Sequence, residues 1–325
     1  MKILIVGGAG YIGSHMVKKL ALAGHEVVTL DNLSRGYEDA VKYGEFVHGN
    51  LGDKDLLNTL FSKHLFDAVM HFAAFIEVGE SVTEPGMYYH NNVCNTQVLL
   101  DAMVSHDLEH FVFSSTAAIF GEPQYTPIDE AHPKNPINPY GRSKLMVEQM
   151  LEDYDRAYGL KSTCLRYFNA AGADPEGELG ERHNPESHLI PLILQAASGR
   201  REAISIFGRD YPTEDGTCVR DYVHINDLCD AHSLALDKMQ KSGDSARYNL
   251  GNGKGFSVQQ VVDTVKRVAN KEFKVIHAER RAGDPAVLVA DSTLAKQALG
   301  WTPRFDRLET IIEAAWQWET TFFTR

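Results

Sequence analysis

Met1-Lys2-Ile3-Leu4-Ile5-Val6-Gly7-Gly8-Ala9-Gly10-Tyr11-Ile12-Gly13 opens the chain and decides its fold. The first six residues are a short apolar run rich in branched side chains, and a helix-like stretch follows Gly13 as far as Leu22. The order is strand, glycine turn, helix. Glycines at 7, 10 and 13 let the backbone turn sharply, approach a diphosphate closely and pack the helix on the strand. The helix N-terminus presents free N–H groups and the positive end of its dipole. A second apolar run, 26–30, ends in Asp31, eighteen residues beyond Gly13. A carboxylate at that distance accepts hydrogen bonds from a ribose 2'-hydroxyl and repels a 2'-phosphate, which favours NAD over NADP.

Working outward, the alternation continues. Residues 46–51, 68–73, 111–116 and 162–168 read as strands. Residues 54–61, with Leu56, Leu57, Leu60 and Phe61 apolar, read as a helix, as do 91–104 and 140–158. The last of these carries Leu145, Met146, Gln149 and Met150 on spacings of a covered face. Five prolines between 121 and 139 make that stretch a loop. Strands alternating with helices imply an α/β fold, a Rossmann-type doubly wound parallel sheet with helices on both faces, which takes ligands beyond the carboxyl ends of its strands. The expected division is 1–169 as an NAD-binding domain and 170–325 as a smaller mixed α/β lobe for substrate, with part of 219–251 returning to the first domain. Helices are also expected over 258–268 and 290–299.

At 325 residues, with 43% hydrophobic and 23% charged residues, the chain suits one large domain plus a smaller one. A formal net charge of -12 argues against nucleic-acid binding, which relies on clustered Lys and Arg. No run approaches a membrane span and residue 1 leads straight into a strand, so the expected location is the cytoplasm. Cys94, Cys164, Cys218 and Cys229 show no metal or disulfide spacing, the 14 histidines are scattered, and no metal is expected.

Tyr140-Gly141-Arg142-Ser143-Lys144 puts a phenol and an ammonium at i and i+4 on one helix face. A free tyrosine titrates near 10, and bringing it near 7 requires about 4 kcal/mol, roughly what one cation supplies at ~4 Å with an effective dielectric of ~20. Lys144 together with an oxidised nicotinamide meets that need. Ser114-Ser115-Thr116 ends the neighbouring strand, where its hydroxyls can bridge a substrate oxygen and the Tyr140 phenol.

Together the glycine turn, the Ser/Thr strand end and the Tyr140/Lys144 pair resemble the extended short-chain dehydrogenase/reductases, and among them the UDP-glucose 4-epimerases, over nearly the whole chain. Supporting stretches are Asp31-Asn32-Leu33, His71-Phe72-Ala73, Val78-Gly79-Glu80-Ser81, Asn91-Asn92 and Leu165-Arg166-Tyr167-Phe168-Asn169. More restrictive are residues 210–217, 219–224 and Arg280-Arg281-Ala282-Gly283-Asp284. The resemblance implies an NAD that stays bound, interconversion of UDP-galactose and UDP-glucose, and a homodimer through the Tyr140 helix and its neighbour. It makes Tyr140 the base for the sugar 4-hydroxyl, Lys144 its electrostatic partner and a ribose ligand, and Thr116 the accompanying hydroxyl.

NAD contacts implied by the same likeness fall on Gly7, Gly10, Tyr11, Ile12, Gly13, Asp31, Asn32, Asn50, Leu51, Phe72, Ala73, Ala74, Asn91, Ser114 and Phe168, besides Tyr140 and Lys144. Thr116 stands where most members have serine, Asn50 where many have aspartate near the adenine, and Ile76 where many have lysine near the diphosphate. On the substrate side, Arg220 and Arg281 suit a UDP diphosphate, because a guanidinium fork matches phosphate oxygens. Asn169 is implied near the phosphates, Phe207 beside uracil and Asp284 on the uridine ribose, with His188, Leu189 and Ile206 in the same site. Leu288 occupies the pocket-size position and is intermediate, leaving N-acetylated or pentose UDP-sugars open as substrates. A sugar-nucleotide 4,6-dehydratase shares the fold and the Tyr/Lys pair, but places an Asp-Glu pair where this chain has Ala117-Ala118. A non-catalytic NAD-binding regulator is the remaining alternative.

Overall fold

The structure, a computed structural model, describes residues 1–281 and 284–323. Ala282 and Gly283 of the stretch quoted above lie outside the described residues. In chain order the strands are β1 (Lys2–Val6), β2 (Glu26–Asp31), β3 (Glu45–His48), β4 (Ala68–His71), β5 (His110–Thr116), β6 (Lys161–Tyr167), β7 (Asn169–Ala171), β8 (Ala203–Phe207), β9 (Val219–His224), β10 (Ala246–Leu250), β11 (Gly255–Ser257), β12 (Lys274–Ala278) and β13 (Val287–Leu288). The helices are α1 (Tyr11–Leu22), α2 (Lys54–Lys63), α3 (Val78–Thr83), α4 (Pro85–Tyr89), α5 (Asn95–Ser105), α6 (Pro139–Tyr158), α7 (Leu189–Ser198), α8 (Ile225–Ser242), α9 (Val258–Ala269), α10 (Thr293–Leu299) and α11 (Leu308–Phe322).

Seven strands form one sheet in the order β10-β6-β5-β4-β1-β2-β3. Every pairing in it is parallel. Alternate residues of β1 feed two cores, as the two-residue period of a strand requires. Ile3 and Ile5 join Val17, Leu20, Leu228, Leu236 and Trp301 beneath α1 and α8. Leu4 and Val6 join Leu57, Leu99, Met103, Val147 and Leu151 beneath α2, α5 and α6. The chain runs outward from β1 to β2 and β3 and then crosses back to β4, so β1 and β4 flank the point where strand order reverses, the place ligands occupy in such sheets.

The second layer of structure is a four-stranded sheet, β11-β9-β13 with β7 on β9, and a two-stranded sheet, β8 with β12. Its core is built from α7, α9 and α11. β9 therefore belongs to the smaller sheet, and the return to the large sheet is made by α8, β10 and then α10, whose Ala295 and Leu299 are buried in its core.

Two expected helices differ in detail. The stretch 91–104 is interrupted by a wide turn of π type over His90–Cys94 before α5 begins. The wide turn swings Asn92 inward, where its Oδ1 accepts from the Phe75 N–H at 2.9 Å and its Nδ2 donates to the Phe75 carbonyl at 3.0 Å. The helix expected over 290–299 begins only at Thr293, because the Ala290 N–H donates to Asp221 and the Ser292 hydroxyl to the Gly251 carbonyl. The strand expected over 46–51 ends at His48, and Asn50 turns back to accept from the Gly52 N–H. The sequence reading assigns no element to 189–198 or 308–322, and both are helices.

Candidate active site

Gly7 leaves β1 with φ +84°, and a Cβ there would lie 2.4 Å from the Ala73 nitrogen beyond β4. A Cβ on Gly13 would lie 2.1 Å from the Gly7 carbonyl oxygen, so only glycine lets α1 start this close to the turn. Gly10 caps α1 without a side-chain hydrogen bond, leaving the first-turn N–H groups of Tyr11, Ile12 and Gly13 for a ligand. At the end of β2 the Asp31 carboxylate is buried and raised by burial above the ordinary range, while accepting from the N–H groups of Ala9 and Leu33. This cradle, with small residues Ala73 and Ala74 after β4, fits a dinucleotide: diphosphate on the α1 N-terminus and ribose on Asp31.

The remaining NAD-side expectations lie around the same strand ends. Leu51 is buried, whereas Asn50 is exposed, and Phe72 packs on His232 at 5.1 Å between ring centres. Asn32 caps its own turn at the Ser34 N–H, and Asn91 donates to Asn92. The buried Tyr11 phenol donates to the Gly172 carbonyl at 2.7 Å, tying α1 to the crossover after β7.

The catalytic candidates are placed by the start of α6. Pro139 occupies its first turn, and the Asn138 side chain accepts from the Gly141 N–H at 2.8 Å. A Cβ on Gly141 would stand 2.5 Å from the Ala118 carbonyl, so this glycine brings α6 onto the turn that follows β5. Tyr140 then faces Thr116. Burial raises the Tyr140 phenol, and hydrogen bonding to Thr116 pulls it back down. Lys144 is buried, donates to the Ser114 carbonyl at 2.8 Å and sits 4.8 Å from the centre of the Phe113 ring. Burial lowers its ammonium to about 7.

In the cofactor-free chain Lys144 donates to the Ser114 carbonyl, and burial holds the Tyr140 phenol above its free value. A pH dependence follows from Lys144. Between about pH 7 and its free value of 10.5, the unfolded chain carries a proton there that the folded, cofactor-free chain lacks. The unfolded state binds more protons, so stability rises with pH across that window. Comparing thermal midpoints of cofactor-free wild type and Lys144→Met from pH 7 to 10, wild type should gain on the variant as pH rises, because this increment appears in wild type alone; parallel curves would show that Lys144 keeps its proton.

Across the crevice, four expected substrate residues meet. Arg281 Nε donates to Asp284 at 2.9 Å and its guanidinium lies 4.8 Å from the Phe207 ring centre. Arg220 lies 3.8 Å from Asp284 and donates to the Pro285 carbonyl at 2.8 Å. Phe207 is exposed at the end of β8, whereas Ile206 is buried beneath it. Asn169 donates to the Asp221 carbonyl, holding β7 to β9, and Leu288 packs with Phe168 in a small apolar cluster around Ile119 and Phe120. His188 and Leu189 begin α7.

Several positioning residues escape sequence reading. Asn92 also donates to the Ser143 hydroxyl at 3.1 Å, so one amide joins the loop after β4 to the helix bearing Tyr140 and Lys144. One turn beyond Lys144, buried Glu148 receives a two-pronged bond from Arg166 on β6 at 3.0 and 2.6 Å and another from Ser115 on β5 at 2.6 Å. The only signal in the sequence is the i, i+4 relation of Glu148 to Lys144.

The family of NAD dependent epimerases/dehydratases matches residues 3–251. UDP-glucose 4-epimerase of Halalkalibacterium halodurans is 52% identical over 98% of this chain and 95% of its own length. A crystal structure of a UDP-glucose 4-epimerase superposes with a TM-score of 0.97 at 51% identity, covering 99% of this chain and 98% of that one. The Brucella ovis enzyme of the same name, solved in complex with NAD, gives 0.95 at 48% identity over 97% of each chain. With its glycine cradle, Asp31 and Tyr140/Lys144 pair in place, the chain belongs to the NAD dependent epimerase/dehydratase family.

Proposed function

We propose that this protein is a UDP-glucose 4-epimerase that interconverts UDP-galactose and UDP-glucose. The observation that carries the reading is the Tyr140 phenol against the Thr116 hydroxyl at the mouth of the NAD cradle, with Arg220, Arg281, Asp284 and Phe207 gathered opposite. NAD, when bound, supplies reversible hydride acceptance at the sugar C4. Tyr140 removes the proton from the 4-hydroxyl, and Thr116 shares the hydrogen bond that keeps the phenolic oxygen directed at it. Arg220 and Arg281 hold the diphosphate and Phe207 lies against the uracil, while the sugar is held more loosely. The 4-keto sugar then turns over without release, and Tyr140 returns its proton on the opposite configuration.

Ala117 is buried in the apolar cluster behind Thr116, and no carboxylate stands there to eliminate water, which disfavours the dehydratase reading. We also propose the division into an NAD domain of 1–169 joined by 225–250, a UDP-sugar lobe from the remainder of 170–325, a cytoplasmic location and a homodimer. Met146, 41% exposed on α6, supports the last. Among the described residues no helix is long and apolar enough to cross a membrane.

An NMR time course of the purified protein with UDP-galactose and no added cofactor tests the proposal. UDP-glucose should appear and settle at an equilibrium mixture. A 4-keto-6-deoxy product, or an unchanged spectrum that added NAD does not rescue, overturns it. UDP-N-acetylglucosamine in a parallel tube reads the room left by Leu288.

A further inference from the structure

Histidines that look scattered along the chain are not all scattered in space. Between β7 and α7 the chain runs Glu181-Arg182-His183-Asn184-Pro185-Glu186-Ser187-His188. Its two imidazoles and two carboxylates converge, each offering one donor atom within 4.8 Å of the others. His183 Nδ1 stands 3.4 Å from both Glu181 Oε1 and Glu186 Oε2, and His188 Nδ1 contacts the same Glu181 oxygen. Glu186 is held from behind, because its other oxygen accepts from the N–H groups of Ser187 and His188 at 2.9 Å. Glu181 is anchored through its backbone carbonyl, which accepts from the Trp318 indole at 3.1 Å.

Three features set this cluster apart from an ordinary ion-pair network. Its carboxylates are deeply buried, with side-chain exposures of 6% for Glu181 and 7% for Glu186. The flanking arginines are engaged elsewhere, Arg182 with Asp39 and Arg200 with Glu319. Glu77 adds a further carboxylate beside His188, bonded to Ser187. The carboxylates of Glu181 and Glu186, buried side by side, bring two negative charges together, which burial penalises. A dication with both imidazoles neutral cancels the two carboxylates.

Space and an open donor complete the case. A cavity of about 50 Å³ is lined by Glu181, His183 and Glu186 together with Gly172 and Trp318, more than the minimum for one water-sized occupant. His183 Nδ1, itself buried, makes no hydrogen bond. Mixed imidazole and carboxylate donors suit a zinc-type ion, which binds at about 2.0–2.2 Å and so brings its ligands within about 4.4 Å of one another.

We infer that Glu181, His183, Glu186 and His188 bind one divalent transition-metal ion of the zinc class. Four protein ligands make the site closed and structural. The ion clamps the crossover from β7 to α7 beside Tyr11, whose ring stands edge-on to His183 at 6.3 Å, and so sets the entry of α7 at the crevice.

The test uses the full-length protein after chelator treatment and dialysis. Calorimetric titration with ZnCl2 should show one equivalent per chain, with a rise in thermal midpoint. Titration with CoCl2 should give the strong visible bands of tetrahedral cobalt with nitrogen and oxygen ligands. His183→Asn and Glu186→Gln should each weaken zinc binding by more than about 100-fold. Absence of stoichiometric binding, a cobalt spectrum like that of the hydrated ion, or affinity unchanged in both variants overturns the inference. Should a variant not fold, the wild-type cobalt spectrum decides.

Discussion

Tyr140→Phe should lower kcat for UDP-galactose by about 10² to 10⁴, equivalent to about 2.7–5.5 kcal/mol of transition-state stabilisation. The substitution deletes one oxygen from a half-buried side chain at the start of α6 and leaves the apolar ring in place. The helix start is fixed by Asn138, Pro139 and Gly141, none of which touches the phenol oxygen through a hydrogen bond. Lys144 is held by the Ser114 carbonyl, so it keeps its position too. The variant should therefore fold with an unchanged thermal midpoint, bind NAD stoichiometrically and show a KM close to wild type, with the loss confined to kcat. A variant retaining most of its turnover would remove Tyr140 from the role of base; one that lost NAD as well would show a structural part for the phenol instead.

The second large effect is on stability. Glu148→Ala should destabilise the protein by about 3–5 kcal/mol, because it leaves the Arg166 guanidinium buried without its partner. Arg166 and Glu148 are each only 2% exposed, Arg166 Nη1 already lacks a hydrogen-bond partner, and the Ser115 hydroxyl loses its acceptor as well. The pair ties α6 to β5 and β6, and Glu148 lies one turn from Lys144, so the loss should also loosen the helix that carries Tyr140 and Lys144. Denaturant unfolding of wild type and Glu148→Ala measures the difference. Replacing both residues together, Glu148→Met with Arg166→Met, should recover most of it, since a buried pair is costly mainly when broken. Equal destabilisation in single and double variants would place the effect in packing and not in charge.

Much of this was legible in the residues themselves. The branched run of β1, the glycines at 7, 10 and 13 and the acid at 31 stand close together, and each follows from local rules: a two-residue period, positive φ at Gly7, a carboxylate at a strand end. Tyr140 and Lys144 are likewise one helical turn apart, so their shared face needs no tertiary information.

What the local rules missed has a common cause. Asn92 bends its helix into a wide turn to reach Phe75 and Ser143, partners 17 and 51 positions away. Helices α7 and α11 earn their stability from one another and from α9, in a core that exists only once the smaller sheet has formed. Lys144 reads in sequence as a cation on the Tyr140 face, and only the fold shows that it also donates to the Ser114 carbonyl of β5 and that burial lowers its ammonium to about 7.

Short-range order, then, determined the parallel sheet, the dinucleotide turn and the helix face shared by Tyr140 and Lys144, because each depends on residues within one or two turns or strands. Tertiary structure alone decided which charges are buried, whom they pair with and what they can therefore do. It drew Glu181, His183, Glu186 and His188 into one cluster and set Arg166 on Glu148, since desolvation depends on what the rest of the chain packs over a group.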